Sequence, residues 1–111
     1  MKKRDAKFPV ASFSQLVVQF ALAIPAGRVT TYGRLAKRAG GGAMASQSIT
    51  SILCKAQDRG VRGIPWHRIV YADGRVWLDD KHRAERLALY KKEGIKLDAK
   101  GRIVDFKELL S

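Results

Sequence analysis

Three consecutive glycines, at positions 40–42, separate two segments whose apolar residues follow a helical repeat. Thr31 precedes the first segment, residues 32–38, and can accept a hydrogen bond from its first turn. Gly40 can take the left-handed conformation that ends a helix. We place the N-cap of the next helix at Ser46. The pattern therefore predicts two short helices joined by a glycine-containing turn, which is a helix-turn-helix candidate.

The helix after the glycines has an apolar stripe and a polar face. Ile49, Ile52, Leu53 and Ala56 recur at the spacing of one helix face, which predicts that they are buried. An amide, small hydroxyl groups and a lysine occupy the other face, which could lie close to a DNA backbone but is also typical of a solvated helix surface. The residues of that face are Gln47, Ser48, Thr50, Ser51 and Lys55.

Another helix is predicted near the start of the chain. Ser12 and Gln15 have the spacing of a capping box, and apolar residues then recur in a helical pattern as far as Pro25. Residues 1–9 are basic, and we expect them to form a flexible tail. Residues 10–111 are expected to form one domain.

A β-hairpin and a further helix are predicted in the second half of the chain. Asp73-Gly74 is a turn pair that would join residues 64–71 to a returning strand at 75–78. An aspartate at position 79 or 80 should cap the helix that Gly94 ends. The residues assigned to the core face of that helix are Ala84, Leu87, Ala88 and Tyr90. The predicted fold is mainly α, winged-helix-like, with a small β-hairpin.

The charge of the chain indicates a polyanionic partner. Among 111 residues, 22 are Lys or Arg and 10 are Asp or Glu, so the formal net charge is +12. Phosphates favour clustered cations through counterion release, which makes nucleic acid the first candidate. The basic residues are spread over the whole chain rather than along one helix face, and we therefore expect no membrane partner. A merely soluble basic surface is the remaining alternative.

The composition also limits the chemistry available to a site. The chain has one cysteine, Cys54, which excludes an intramolecular disulfide and a zinc site with several thiolates. We therefore expect no metal and no cofactor. A lone cysteine on a helix is usually a small buried residue, and that is the role predicted for Cys54.

Two motifs resemble the DNA-binding domain of the O6-alkylguanine-DNA alkyltransferases. The first is Ile-Pro-Ala-Gly-Arg-Val-Thr-Thr-Tyr-Gly-Arg-Leu-Ala, at residues 24–36. The second is Ile-Pro-Trp-His-Arg-Ile-Val, at residues 64–70, which resembles the active-site motif Pro-Cys-His-Arg-Val. Glu93-Gly94 resembles the Glu-Gly of the same family. The resemblance extends over about residues 12–97 and implies the helix-turn-helix domain of the alkyltransferase C-terminal type.

Trp66 stands where those enzymes carry the acceptor cysteine. Alkyl transfer needs a thiolate as nucleophile and acceptor, whereas an indole offers an N–H donor and an aromatic face. The sequence is therefore similar to the alkyltransferase-like proteins, which keep the DNA-binding fold and the lesion pocket but lack that cysteine. This implies a protein without catalytic residues. The two alternatives are a sequence-specific helix-turn-helix regulator and an active alkyltransferase that uses Cys54.

The resemblance also implies roles for individual residues. Tyr32, at a helix N-terminus, would act on the phosphate 3′ to the target nucleotide, and Trp66 would pack against the everted base; both could instead be core aromatics. Gln47 takes the place of the arginine that fills the gap in the duplex, with Arg59 or Arg62 as alternatives. The residues expected to contact DNA or the lesion are Thr31, Tyr32, Gly33, Gln47, Ser48, Pro65, Trp66 and Arg68.

His67 and Glu93 are expected to form a hydrogen-bonded pair that supports the pocket. The implied function is recognition of O6-alkylguanine in double-stranded DNA by base flipping, without alkyl transfer. The lesion would then be flagged for nucleotide excision repair proteins, with damage recognition of the UvrA type. We expect a monomer in the cytoplasm, at the bacterial nucleoid, or in the nucleus if the source is a eukaryote.

Overall fold

The computed structural model describes residues 12–42 and 44–111. Within them, the α-helices are α1 (Phe13–Leu22), α2 (Tyr32–Arg38), α3 (Ile49–Asp58), α4 (Arg83–Lys92) and α5 (Phe106–Leu109). The strands are β1 (Thr30–Thr31) and β2 (Ile69–Val70), and two 3₁₀ turns cover Ala45–Ser48 and Trp66–Arg68. The predicted mainly α class is confirmed. The tail predicted at residues 1–9 lies outside the described residues.

Local capping signals set the starts of α1 and α2, as predicted. The Ser12 hydroxyl accepts a hydrogen bond from the Gln15 N–H at 3.1 Å, and the Gln15 side chain accepts one from the Ser12 N–H at 2.8 Å. Thr31 Oγ1 accepts a hydrogen bond from the Arg34 N–H at 3.0 Å. Gly40 follows α2 with φ +90°, which is the predicted left-handed conformation.

The turn between α2 and α3 depends on a close backbone approach at Gly41. Its N–H donates to the Ala36 carbonyl at 2.9 Å. A Cβ atom at this position would lie 2.4 Å from the Cβ of Ala45 and 2.7 Å from the ring of Phe13, which is closer than any side chain tolerates. The glycine therefore lets the turn pack closely against Phe13 of α1 and against Ala45.

The predicted start of α3 is wrong, because Ser46 lies within the 3₁₀ turn Ala45–Ser48. Ser48 precedes α3, and its side chain makes no capping hydrogen bond. The predicted apolar stripe is confirmed; Ile49, Leu53 and Ala56 are buried and Ile52 is half-buried. Cys54 is exposed, contrary to prediction, because one helical step of about 100° turns it away from buried Leu53.

The predicted hairpin is shortened to its turn, and the strand before it pairs in parallel with β1. The turn at Asp73-Gly74 forms, with the Gly74 N–H donating to the Tyr71 carbonyl at 2.9 Å. However, β2 pairs with β1, so that Thr30 lies beside Ile69 and Thr31 beside Val70. The segment after the turn makes one hairpin bond, in which the Tyr71 N–H donates to the Arg75 carbonyl at 3.0 Å. It then bonds to the C-terminal part of the chain, where Val76 donates to the Gly101 carbonyl at 3.0 Å.

Two buried clusters share the short sheet. Ile69 packs into the first and Val70 into the second, because consecutive residues of a strand point to opposite faces. The first cluster joins α1, α2 and α3 through Val17, Ala21, Ile24, Leu35, Ala36, Ala39, Ile49 and Leu53. The second joins β2 to α4 and the C-terminal segment through Val29, Val76, Tyr90, Ile95 and Ile103.

The packing of α4 differs from the prediction. Tyr90 is buried, but Leu87 is 38% exposed and Ala84 and Ala88 are exposed as well. The helix face that carries Tyr90 lies against the 3₁₀ turn Trp66–Arg68. There the Tyr90 hydroxyl donates to the His67 carbonyl at 2.6 Å.

The ends of α4 agree only partly with the predicted signals. The Asp79 carboxylate accepts a hydrogen bond from the N–H of His82, the residue before the helix, rather than capping the helix itself. The φ of Gly94 is +74°, which ends the helix as predicted.

Candidate nucleic-acid interface

Glu93 joins three parts of the chain at the C-terminal end of α4. Its Oε2 lies 2.7 Å from His67 Nε2 and 2.7 Å from Arg68 Nη2, while Oε1 accepts a hydrogen bond from the Gly27 N–H at 2.9 Å. The Glu93 side chain is 7% exposed and that of His67 is 9% exposed. The predicted His67–Glu93 pair is therefore present, and it connects α4 to the 3₁₀ turn and to the loop before β1.

Arg68 belongs to this buried network. Its Nε donates to Glu93 Oε1 at 3.0 Å, and its Nη1 donates to the Ile24 carbonyl at 3.0 Å. We predicted that Arg68 would contact DNA or the lesion. In the structure its guanidinium is engaged with Glu93 and with the Ile24 carbonyl. Its contact with DNA stays a prediction.

The network keeps Glu93 ionised. Burial alone would raise the pKa of this carboxyl group. The hydrogen bonds from Arg68, the Gly27 N–H and His67 outweigh burial and lower the pKa from 4.5 to about 2. With a negative charge fixed on Glu93, the network has the character of a structural ion pair at neutral pH.

Trp66 lies at the start of the 3₁₀ turn and is half-buried. Its ring packs against the first buried cluster, and its Nε1–H donates to the Gln57 side-chain oxygen at 3.0 Å. The neighbouring Pro65 is buried. The indole is thus anchored by a hydrogen bond along one edge, while part of its surface stays accessible to a ligand.

Tyr32 lies at the N-terminus of α2, half-buried against the same cluster. Its ring centroid is 6.0 Å from that of Tyr71, with the two planes tilted by 40°. Burial and the neighbouring Tyr71 raise the pKa of Tyr32, against a smaller lowering by hydrogen bonding with Thr50 and by the charge of Arg86. The phenol is therefore a neutral donor at physiological pH.

One flank of α3 brings Tyr32 and Trp66 to the same side of the molecule. Thr50 contacts Tyr32, and Gln57, seven residues further along the helix, contacts Trp66. Seven residues are close to two helical turns, so both contacts come from one helix face. The sequence alone assigns no site contact to Gln57 or Thr50, and their seven-residue spacing is the one signal that indicates a shared flank.

The other predicted contact residues divide by exposure. Gly33, Gln47 and Ser48 are exposed, whereas Thr31 is 7% exposed and its side chain is engaged with Arg34 as a cap. Gln47 lies before the start of α3, and Arg59 follows its end. Since α3 has ten residues, about 15 Å of helix separates these two positions. Gln47 and Arg59 therefore lie at opposite ends of α3.

Within residues 12–42 and 44–111, no group of three or more His, Cys, Asp or Glu side chains is placed to hold a metal ion. None of the helices in that part of the chain combines the length and the apolar character needed to cross a membrane.

Comparison with known proteins supports the family resemblance of the motifs at residues 24–36 and 64–70. Residues 12–95 match the family model described as "6-O-methylguanine DNA methyltransferase, DNA binding domain". The chain is 35% identical over 103 residues to the "DNA base-flipping protein" of Escherichia coli (strain K12) and equally to that of Shigella flexneri. Each match covers 93% of this chain and 73% of the relative.

Two solved structures share the fold. One is S. pombe Atl1 in complex with damaged DNA containing O6-carboxymethylguanine, with a TM-score of 0.64 and 22% identity. The other is S. pombe ATL in complex with DNA, with a TM-score of 0.65 and 21% identity. Both matches cover 100% of this chain and 98% of the other. The chain belongs to the family of the 6-O-methylguanine DNA methyltransferase DNA-binding domain, as the resemblance of its motifs predicts.

Proposed function

We propose that this protein recognises O6-alkylguanine in duplex DNA by base flipping and does not transfer the alkyl group. The observation that carries the proposal is the Glu93–His67–Arg68 network, which is intact around a tryptophan rather than a cysteine. In this proposal the network supports the base pocket, and Trp66 stands where the related enzymes carry the nucleophile. The relatives named as base-flipping proteins support this function.

Binding without repair requires a second activity to remove the lesion. A half-buried indole cannot accept an alkyl group in the way a thiolate does. We therefore propose that the bound lesion is passed to nucleotide excision repair proteins, with damage recognition of the UvrA type as the first partner. The resemblance of the motifs to alkyltransferase-like proteins supports this step.

One experiment separates the proposed function from its rivals. We expect tighter binding to a duplex with O6-methylguanine than to the same duplex with guanine, and an unchanged protein mass after incubation with excess lesion. Cys54 is exposed on α3, four residues after Thr50, so the mass measurement also tests it as an acceptor. A gain of one methyl group per protein would support the alkyltransferase alternative. Tight binding to one undamaged sequence would support a regulator.

Affinity should depend steeply on salt, because a chain with net charge +12 meets the DNA backbone mainly through phosphate contacts. On duplex DNA, the logarithm of the association constant is expected to fall by about 0.9 per phosphate for each tenfold rise in salt. Fluorescence anisotropy between low and physiological salt measures this slope. A flat dependence would contradict the electrostatic origin of the affinity.

Tyr32→Ala should reduce base flipping, because it removes the ring that lies at the N-terminus of α2 beside Tyr71. A fluorescent base analogue next to the lesion reports flipping as an increase in emission. Tyr32→Phe keeps the ring and its packing and serves as the matched control, which should retain most of the signal. If a folded Tyr32→Ala variant gives the full signal, Tyr32 is a core aromatic only.

A further inference from the structure

A strip of aromatic and guanidinium side chains extends from Tyr32 across the surface between β2 and α4. Arg75 lies over the ring of Tyr71, with its guanidinium carbon 4.9 Å from the ring centroid. Arg86 lies over the ring of Trp77 at 5.2 Å. Tyr32 lies beside the first pair, with its ring 6.0 Å from that of Tyr71. The turn at Asp73-Gly74, which is closed by a hydrogen bond from the Tyr71 N–H to the Arg75 carbonyl at 3.0 Å, joins the two pairs along the chain.

The rings of this strip are partly open to solvent. Trp77 is 49% exposed and Tyr71 is 38% exposed. Neither belongs to the buried clusters that stabilise the fold. Arg86 Nη1 donates to the Trp77 carbonyl at 3.0 Å, which fixes the guanidinium on the indole. The strip is therefore ordered by its own stacking contacts and leaves aromatic surface available.

The chemistry of the strip selects for unpaired nucleotides. Base pairs within a duplex stack on each other and present only their edges in the grooves, so they offer no face to Trp77 or Tyr71. An unpaired base offers such a face, and aromatic side chains with interleaved arginines bind it through stacking while the guanidinium groups meet the phosphates. Fully paired DNA would contact the guanidinium groups of the strip through its phosphates, but its bases would not stack on the rings.

We propose that Tyr71, Arg75, Trp77 and Arg86 form a binding site for unpaired nucleotides adjacent to the everted base. The proposal deepens the proposed function, on which it rests, because the strip begins at Tyr32. The proposal predicts that the protein binds a lesion in a locally opened duplex more tightly than the same lesion in a fully paired duplex. The strip would thereby favour damaged DNA whose neighbouring pairs have already separated.

The experiment compares four duplexes by fluorescence anisotropy at one salt concentration. One contains guanine and one O6-methylguanine, both fully paired; a third carries the lesion with a short mismatched stretch on one side. The fourth carries the same mismatched stretch without a lesion and tests the strip by itself. Mismatches are placed in turn 3′ and 5′ to the target position.

Variants identify the side chains that carry the effect. Trp77→Ala and Arg86→Gln should lose the added affinity for mismatched DNA, by between about fivefold and about 150-fold for Trp77→Ala, which is the effect of one stacked base. Lys92→Gln is the matched control for Arg86→Gln, since it removes one exposed charge from α4 about 120° around the helix from Arg86. Trp77→Phe keeps a ring and should retain most of the preference.

Fluorescence of the indole gives an independent readout. The chain has two tryptophans, so the difference in emission between the wild type and Trp77→Phe reports the environment of Trp77. Mismatched DNA should quench that emission, while fully paired undamaged DNA should leave it nearly unchanged.

The outcomes separate this proposal from the proposed function. Equal affinity of the wild type for paired and mismatched DNA, or an undiminished preference in folded Trp77→Ala, would overturn the strip as a binding site. A retained preference for the lesion in paired DNA would then leave the proposed function standing. Conversely, equal binding of O6-methylguanine and guanine duplexes would contradict the proposed function. In that case, the affinity for the mismatched duplex without a lesion would still show whether the strip binds unpaired nucleotides.

Discussion

Replacing Glu93 with glutamine should lower the free energy of unfolding by about 3 kcal/mol at pH 7, which is typical of a buried ion pair that loses one partner. The carboxylate accepts hydrogen bonds from Arg68 and from the Gly27 N–H, and its other oxygen lies 2.7 Å from His67 Nε2. A glutamine amide places a donor group against donors and leaves Arg68, whose side chain is 20% exposed, without its counter-charge.

The same carboxylate makes stability depend on acid pH. The pKa of Glu93 is about 2 in the folded protein and 4.5 ordinarily, so its contribution is fully present above pH 4.5. It is lost as the pH falls from 4.5 towards 2, where the folded state also takes up the proton. A shift of this size corresponds to roughly 3 kcal/mol, which agrees with the effect expected for the substitution.

Urea unfolding of both proteins at several pH values checks these two expectations together. The difference between wild type and Glu93→Gln should be largest near neutral pH and should shrink as the pH approaches 2. Glu85→Gln removes an exposed carboxylate from the first turn of α4 and is the matched control, with an expected change within about 0.5 kcal/mol. A difference that stays constant with pH would show that Glu93 acts through packing rather than through charge.

Those parts of the fold that depend on neighbouring residues could be predicted from the sequence. The capping box of Ser12 and Gln15, the cap at Thr31 and the left-handed Gly40 each act within one helical turn, and all three are present. The apolar stripe of α3 is a local pattern as well. Ser46 is not an N-cap, because residues Ala45–Ser48 form a 3₁₀ turn and α3 begins at Ile49.

The strand pairing was predicted wrongly because distant segments of the chain compete for the same backbone hydrogen-bonding groups. The Asp73-Gly74 pair predicts a turn, and the turn forms, but no local signal shows that Ile69 pairs with Thr30 in a parallel register. The returning segment bonds to Tyr71 through the Arg75 carbonyl and then, from Val76, to Gly101. A hairpin signal specifies the turn, whereas the partner of each strand depends on the whole chain.

In the candidate site too, some contacts could be predicted from the motifs, whereas others depend on distant residues. Resemblance of the motifs placed His67 beside Glu93, and the structure confirms this pair at 2.7 Å. The same motif did not show that the donors of Arg68 are turned inward, because that depends on the Ile24 carbonyl and on Glu93. Nor could the stacking of Arg86 on Trp77 be foreseen, since the geometry of the 71–82 segment fixes it.

Trp66→Ala should weaken binding to O6-methylguanine DNA by roughly 1–3 kcal/mol, the increment of one base stacked on an aromatic side chain. Affinity for the matching undamaged duplex should change much less, because that complex relies mainly on phosphate contacts. The ratio of the two affinities is therefore the quantity to measure. The indole also packs against the first buried cluster, so the thermal stability of the variant must be determined in parallel.

Two further variants separate the ring of Trp66 from its hydrogen bond. Trp66→Phe keeps an aromatic face but loses the Nε1–H that donates to Gln57 at 3.0 Å, and Gln57→Leu removes the acceptor while leaving the indole in place. If stacking on the everted base dominates, Trp66→Phe should retain most of the preference for the lesion. If the position of the indole matters most, Gln57→Leu should lose part of that preference with the ring intact. Equal losses on damaged and undamaged DNA in folded Trp66→Ala would instead mean that Trp66 is a structural residue and that the lesion is recognised elsewhere.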